Sequence, residues 1–215
     1  MKTIAVVSQK GGAGKTTIAV NLAGMAFCRG LQCAVIDLDP QSSAKAWHDI
    51  RGQESPVVIS SQSSRLQEIL EKADQNGADL VILDTAPHSE TAALASARLC
   101  DLILIPCRPS VLDLKAIVTS IDLAALARKE AVVVLNGIPS RGVLASEASA
   151  VIAGYGVELA PAMLGYRAAF VHSLTIGLSV AEYEQASKAA EEITELFEWI
   201  CLKLGIKNNA QEEQI

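Results

Sequence analysis

The chain has 215 residues, half of them hydrophobic, and a formal net charge of −6 from 24 acidic and 18 basic side chains. The length predicts one domain, and the apolar content excludes an intrinsically disordered chain. The acidic balance argues against a protein that coats nucleic acid through its overall field, although it permits a local basic patch. Apolar stretches stay short of the ~18 residues of a membrane span, and we expect no signal peptide.

Short apolar runs alternate with helical patterns along the whole chain. Strands are predicted at Thr3–Ser8, Gln32–Asp37, Leu80–Asp84, Leu102–Pro106, Ala131–Asn136 and Gly156–Leu159. Helices are predicted at Lys15–Gly30, Ser64–Ala73, Glu90–Leu99, Val111–Ala127, Leu144–Ala153 and, as a long closing helix, Glu182–Leu204. Near-continuous apolar strands separated by helices indicate an α/β fold, with a mainly parallel twisted sheet of about seven or eight strands and helices on both faces.

The domain organisation follows from the absence of linkers and repeats in this pattern. A single domain is predicted for residues 1–206, followed by a polar, frayed tail at 207–215. The cysteines form no CxxC pair, and we expect them to be small core residues of a cytoplasmic protein. They are Cys28, Cys33, Cys100, Cys107 and Cys201.

A glycine-rich loop, Gly11–Thr17, leads from the first predicted strand into the first predicted helix. It matches the phosphate-loop pattern G-x-x-x-x-G-K-[ST], except that Gln9 stands in place of the first glycine. Backbone N–H groups of such a loop face a phosphate, and the helix N-terminus adds partial positive charge. We expect Lys15 to reach the β- and γ-phosphates and Thr16 to bind Mg²⁺ through its hydroxyl.

Three carboxylates lie at or just beyond the ends of apolar strands: Asp37, Asp39 and Asp84. Ligands of open parallel sheets bind beyond the carboxyl ends of the strands, so we expect all three side chains to face the bound phosphates. Helix capping or loop solvation is the alternative for any one of them taken alone.

The segment Lys10–Thr17 resembles the deviant Walker A motif, KGGxGK[ST], of the ParA/MinD family of ATPases. Asp37–Gln41 is similar to the switch I motif DxDPQ of that family, and Leu80–Pro87 is similar to its Walker B and switch II segment. Ile105–Asp113 resembles the proline-containing segment near the family's nucleotide-dependent dimer interface. Together these motifs cover the chain from residue 2 to about residue 140.

The resemblance implies a P-loop NTPase fold and Mg²⁺-dependent hydrolysis of ATP to ADP and phosphate. It implies catalytic roles for Lys10, Lys15 and Asp39: Lys10 crosses a dimer interface to the partner's nucleotide, and Asp39 orients or deprotonates the attacking water. Asp84 then binds Mg²⁺ through a water, and Asp37 supports that metal. The implied nucleotide-binding residues are Lys10, Gly11, Gly12, Ala13, Gly14, Lys15, Thr16, Thr17 and Asn136.

Two of these assignments have plain alternatives at the level of sequence. Without the resemblance, Lys10 is better described as a solvated loop lysine. Asn136 lies at the end of a predicted strand, at the place where similar ATPases contact adenine, and an amide can bond the N6/N1 edge of that base. An ordinary turn at Asn136 is the competing interpretation.

The resemblance also predicts a biological role. A ParA-like protein forms a homodimer with ATP, binds DNA without sequence preference, and releases it when a centromere-binding ParB-like partner stimulates hydrolysis. This predicts partition of plasmid or chromosome DNA by a cytoplasmic protein that is nucleoid-associated when bound to ATP. The candidate DNA contacts, each of which could also be an ordinary solvated residue, are Arg167, Lys188, Lys203 and Lys207.

Other functions of similar proteins remain open. A ParA-like ATPase that positions another cargo, such as a protein compartment or a chemoreceptor cluster, would have identical nucleotide chemistry. A MinD-like membrane association is disfavoured, and no membrane anchor is expected, because Lys207–Ile215 carries two acids and little apolar surface. A metabolic ligase of the same superfamily, such as a dethiobiotin-synthetase-like enzyme, is disfavoured by Lys10 and the DPQ segment.

Overall fold

The computed structural model describes residues 1–207, so all of the predicted tail at 207–215 except Lys207 lies outside the described residues. The strands are β1 (Lys2–Val6), β2 (Cys33–Asp37), β3 (Val57–Ser60), β4 (Leu80–Asp84), β5 (Leu102–Cys107), β6 (Ala131–Ile138), β7 (Glu158–Leu159) and β8 (Leu164–Gly165). The helices are α1 (Lys15–Cys28), α2 (Ser43–Arg51), α3 (Leu66–Gln75), α4 (Glu90–Leu99), α5 (Val111–Ala127), α6 (Leu144–Gly154), α7 (Ala168–Thr175), α8 (Val180–Tyr183) and α9 (Lys188–Leu204).

The strands form one parallel sheet in the order β3-β2-β4-β1-β5-β6-β7, and β8 pairs with the end of β6. Within this register Asp84 of β4 lies beside Val6 of β1 on one side and beside Asp37 of β2 on the other. The carboxyl ends of these three central strands therefore meet at one edge of the sheet. The glycine-rich loop and two of the candidate carboxylates share that edge, as the sequence predicts.

Each face of the sheet is covered by its own layer of helices. Along β1, Ile4 and Val6 are buried in the layer that contains α1 and α9, whereas Ala5 is buried in the layer that contains α3 to α6. Phe197 of α9 is among the largest fully buried side chains of the first layer. Burial on both faces explains why the strands are continuous apolar runs and not alternating ones.

The predicted closing helix at Glu182–Leu204 was wrong in its first part. The chain forms the short helix α8, leaves helical geometry at Glu184, and begins α9 at Lys188. Two serines explain the break: Ser179 and Glu182 form a capping box on α8, and the Ser187 hydroxyl accepts a hydrogen bond from the Ala190 N–H at the start of α9. Because each serine satisfies the first N–H groups of its own helix, two helices replace one.

One further prediction needs correction, and some elements of the structure were not predicted. Cys28 is exposed at the end of α1, so only the other four cysteines are core residues as expected. The edge strand β3 and helix α7 lie in segments that carry no clear hydrophobic period in the sequence.

In the part of the chain that the structure describes, none of the helices combines the length and hydropathy that a membrane span requires.

Candidate nucleotide-binding site

The glycine-rich loop adopts a conformation that favours glycine at two positions. Gly12 and Gly14 have φ angles of 73° and 98°, which lie in the left-handed region. The Asn136 side chain closes over this loop, since its Nδ2 donates to the Ala13 carbonyl at 2.8 Å. A Cβ on Gly14 would lie 2.0 Å from that nitrogen, so a side chain at this position would displace the asparagine.

Lys15 begins α1 and is buried at 6% exposure, with its Nζ 3.3 Å from the Lys10 carbonyl. Burial lowers the pKa of this ammonium, and the charges of Asp84 and Asp39 oppose that shift. The lysine is thus a desolvated cation held inside the turn of the loop. In this position it contributes positive charge at the point where the N–H groups of the loop and of α1 converge.

Asp84 is 1% exposed, and neither of its carboxylate oxygens has a hydrogen-bond partner among the described residues. Burial raises the pKa of Asp84 to about 7, although the nearby Thr16 side chain and the charge of Lys15 counteract the shift. A buried carboxylate without donors is a strained arrangement that a cation relieves. The Asp84 and Thr16 oxygens therefore fit Mg²⁺, which prefers oxygen ligands.

The protein itself supplies few ligands for such an ion. Residues 1–207 contain no cluster of three or more His, Cys, Asp or Glu side chains that could hold a metal. Mg²⁺ commonly binds through one or two protein groups together with phosphate oxygens and waters. The donor set at Thr16 and Asp84 is therefore typical of a site that binds Mg²⁺ together with a nucleotide.

Asp84 makes the stability of the nucleotide-free protein dependent on pH. Its pKa is about 7 in the folded chain against an ordinary value of 3.8, so the folded state binds the extra proton between these pH values. Stability should therefore fall as pH rises from about 4 to about 7, by a few kcal/mol at about 1.36 kcal/mol per unit. We expect Asp84→Asn to raise the unfolding free energy at pH 8, as measured by denaturant titration with a chelator.

The matched control for this measurement is Asp122→Asn, an exposed acid on α5. It should leave the pH profile of the wild type unchanged. Burial also raises the pKa of Asp37, so a smaller slope of the same sign remains in Asp84→Asn. An Asp84→Asn profile as steep as that of the wild type would contradict the assignment.

Asp37 stabilises the backbone of the segment that follows β2. Its Oδ1 accepts from the Asp39 N–H at 3.1 Å, and its Oδ2 accepts from the N–H groups of Ala44 and Lys45 at 2.9 and 3.1 Å. These bonds oppose the rise in pKa that burial causes. The Asp37 carboxylate thus caps the start of α2 and fixes the position of Asp39, and its predicted support of Mg²⁺ stays a prediction.

Asp39 lines the pocket and is only partly buried. Its Oδ1 accepts from the Gln41 N–H at 2.9 Å, whereas its Oδ2 makes no hydrogen bond with the described residues. One oxygen is thus fixed by the loop, and the other is available to a ligand or a water. This is the geometry that a water-orienting carboxylate requires.

Lys10 does not point into the pocket of its own chain. Its Nζ lies 2.8 Å from Oδ1 of Asp113, at the first turn of α5. The Ser110 hydroxyl donates to the other oxygen of Asp113. Asp113 is buried, with 7% of the residue exposed. The predicted role of Lys10 at a partner's nucleotide stays a prediction, and in the single chain an ion pair occupies this lysine.

The loop and the candidate carboxylate Asp39 line a cavity of about 560 Å³, which is large enough for a nucleotide. Asn136 lines it too, with its amide nitrogen bonded to the loop and its oxygen without a partner among the described residues, so an adenine contact stays a prediction. Sequence reasoning missed several lining residues: Ser43, Pro87, Arg108, Tyr166, Phe170 and Val171. Arg108 lies in the recognised segment Ile105–Asp113, whereas the last three lie in a region that sequence patterns left unassigned.

The candidate DNA contacts do not form one free basic patch. Arg167 lines the nucleotide pocket and is ion-paired with Glu192. Lys203 lies 2.6 Å from Glu130 and 2.7 Å from Glu158. Lys188 and Lys207 are exposed. Because acids neutralise two of the four cations, the field that this surface offers to DNA is weaker than the sequence suggests.

A phosphate loop at the carboxyl edge of a parallel sheet, beside a buried carboxylate that fits Mg²⁺, defines a P-loop nucleotide-binding protein. The sequence model of the CbiA family, described as the CobQ/CobB/MinD/ParA nucleotide binding domain, matches residues 4–194. The chain belongs to this family. It is a P-loop ATPase of the ParA/MinD kind, a class whose cofactors are ATP or ADP and Mg²⁺.

Several relatives and solved structures resemble the chain over nearly its whole length. Maintenance of carboxysome distribution protein A of Halothiobacillus neapolitanus is 32% identical over 205 residues, which cover 90% of this chain and 94% of that protein. Protein IncC of Escherichia coli is 28% identical over 259 residues, covering 96% and 71%. The solved ATP complex of a Cyanothece McdA variant superposes with a TM-score of 0.75 at 18% identity, covering 96% and 97%, which shows a shared fold.

Proposed function

We propose that the chain is a positioning ATPase, an ATP-driven switch that distributes a protein cargo inside the cell. The similarity to a carboxysome distribution protein over 90% of this chain and 94% of that relative is the observation that carries the proposal. The DNA-partition function predicted from the sequence shares the nucleotide chemistry. It is supported less well, because two of its four candidate DNA contacts are already ion-paired.

The nucleotide part of the cycle follows from the geometry of the site. The N–H groups of Gly11–Thr17 and the Lys15 ammonium bind the phosphates, and the Asn136 side chain keeps the loop closed. Thr16 and Asp84 would hold Mg²⁺, which supplies charge neutralisation for the β- and γ-phosphates when bound. The free oxygen of Asp39 orients the attacking water, and the backbone bonds from Asp37 keep Asp39 in place.

The switch itself depends on Lys10. In the single chain Asp113 neutralises this lysine, and the adjoining side chains Val111 and Leu112 are 68% and 72% exposed. An ATP-bound homodimer that covers this apolar surface would release Lys10 toward the partner's phosphates. A cation arriving in trans is worth about 10³–10⁵ in rate for phosphoryl transfer, so hydrolysis is coupled to dimer formation. A cargo-associated partner protein then binds the dimer and not the monomer.

The experiment that separates the two cargoes deletes the gene in its host cell and measures two quantities in the same cultures. One is the spacing of intracellular protein compartments by fluorescence microscopy, and the other is the loss rate of replicons without selection. Clustered compartments with stable replicons support the proposed function. Normal compartment spacing with replicon loss would replace it with DNA partition. Restoring the wild-type gene, but not a Lys15→Ala copy, links the effect to the nucleotide.

A further inference from the structure

Arg108 follows β5 directly and is exposed at the rim of the nucleotide cavity. Three cationic side chains line this cavity: Lys15, Arg108 and Arg167. Lys15 is bonded to a loop carbonyl and lies near Asp84 and Asp39, while Arg167 is paired with Glu192. Among the described residues Arg108 alone of the three has no hydrogen bond or ion pair through its guanidinium.

Asp113 is the acid whose charge interacts with Arg108, but other groups already donate hydrogen bonds to it. Asp113 contacts the Lys10 ammonium at 2.8 Å and the Ser110 hydroxyl, so both of its oxygens have donors. Burial opposes ionisation of Asp113, yet these two hydrogen bonds, with the charges of Lys10 and Arg108, keep the pKa of this carboxyl low. The negative charge of Asp113 therefore attracts Arg108, but the two side chains form no ion pair or hydrogen bond.

The Arg108 side chain lies against the phosphate loop, close to two glycines. A Cβ built on Gly12 would lie 3.8 Å from Nη2 of Arg108, and one built on Gly137 would lie 3.9 Å from its Cγ. The aliphatic stem thus runs beside the end of β6, and the guanidinium reaches the outer face of the loop. A planar guanidinium in this place presents several N–H donors to whatever the loop binds.

We propose that Arg108 binds the phosphate chain of the nucleotide from within the same subunit. This inference deepens the proposed function and rests on its nucleotide site. The loop glycines and Lys15 hold the phosphates from the side of α1, and Arg108 closes over them from the β5 side. The contact needs no partner chain, so it operates while Asp113 still holds Lys10. Arg108 gives the single subunit affinity for both ADP and ATP, whereas Lys10 contacts a nucleotide only in the dimer.

The test uses Arg108→Gln, which removes the charge at similar length, and Arg108→Lys, which restores a cation. The matched control is Arg98→Gln, an exposed arginine of α4 away from the cavity. Dissociation constants for ADP and ATP are measured by fluorescence titration at protein concentrations where light scattering shows a monomer. Adenosine, competed at millimolar concentration, reports contacts to the base and ribose alone.

Loss of one charge-assisted contact should weaken ADP and ATP binding about 10- to 100-fold in Arg108→Gln. Arg108→Lys should regain part of the loss, adenosine affinity should not change, and Arg98→Gln should match the wild type. ADP affinity that is unchanged in Arg108→Gln would overturn the inference, as would a loss seen equally with adenosine or only in ATP-dependent dimer formation. If Lys15→Ala also binds ADP normally, the proposed nucleotide site fails, which separates the two failures.

Discussion

Replacing Lys15 with alanine is expected to abolish binding of ATP and ADP, with a dissociation constant raised at least about 100-fold. The ammonium is buried at the turn of the loop, where it interacts with the charges of the buried Asp84 and of Asp39. Without it, the phosphates would enter a cavity that Asp39 lines, and the negative charges of Asp39 and of the nearby Asp84 would repel them. Isothermal titration calorimetry with Mg²⁺ and each nucleotide measures the effect.

The Lys15→Ala variant should fold normally, because alanine is a good residue for the first turn of α1. Circular dichroism and a thermal melt check this point before any affinity is interpreted. Lys115→Ala, an exposed lysine of α5, is the matched control and should bind nucleotide like the wild type. Undiminished ATP binding by Lys15→Ala would refute the assignment of Gly11–Thr17 as the phosphate loop.

The features that the sequence predicted correctly are those with a local cause. β4, α4 and α5 have the predicted bounds: β4 is a continuous apolar run that ends at an aspartate, and a capping serine precedes each of the two helices. The convergence of the phosphate loop with Asp37 and Asp84 also followed, since parallel strands bring their carboxyl ends to one edge. Short-range patterns together with the rule for parallel sheets thus positioned the candidate site.

The features that the sequence did not predict depend on contacts between distant segments. Arg167 and Lys203 appear in the sequence as free cations, but Glu192 and Glu130 neutralise them across 25 and 73 positions of chain. Arg108 lines the cavity with its stem beside Gly137 of the neighbouring strand, a contact between residues 29 positions apart in the chain. No periodicity in the sequence predicts contacts between such distant segments. A sequence therefore identifies the residues of a local motif more completely than the residues that surround them in the folded site.

Replacing Asp39 with alanine is expected to preserve ATP binding and to slow hydrolysis by about 10²–10⁴, the usual contribution of a general base. The Asp39 carboxylate lines the cavity, and it accepts one hydrogen bond, from the Gln41 N–H, which leaves its other oxygen without a partner among the described residues. Its loss removes the group that orients water and leaves the phosphate loop intact. Because ATP persists, the dimer should accumulate, and light scattering after addition of ATP and Mg²⁺ should show twice the monomer mass.

Asp39→Asn separates the chemistry from the structure of the switch I loop. The amide oxygen of asparagine can still accept from the Gln41 N–H, so the loop stays ordered, but the side chain cannot take up a proton at neutral pH. Equal defects in both variants, with hydrolysis measured by single-turnover phosphate release, support the role of the carboxylate. Asp122→Ala, an exposed acid of α5, controls for loss of surface charge. If Asp39→Asn hydrolyses ATP at the wild-type rate, another group positions the water, and Asp39 acts only through the geometry of its loop.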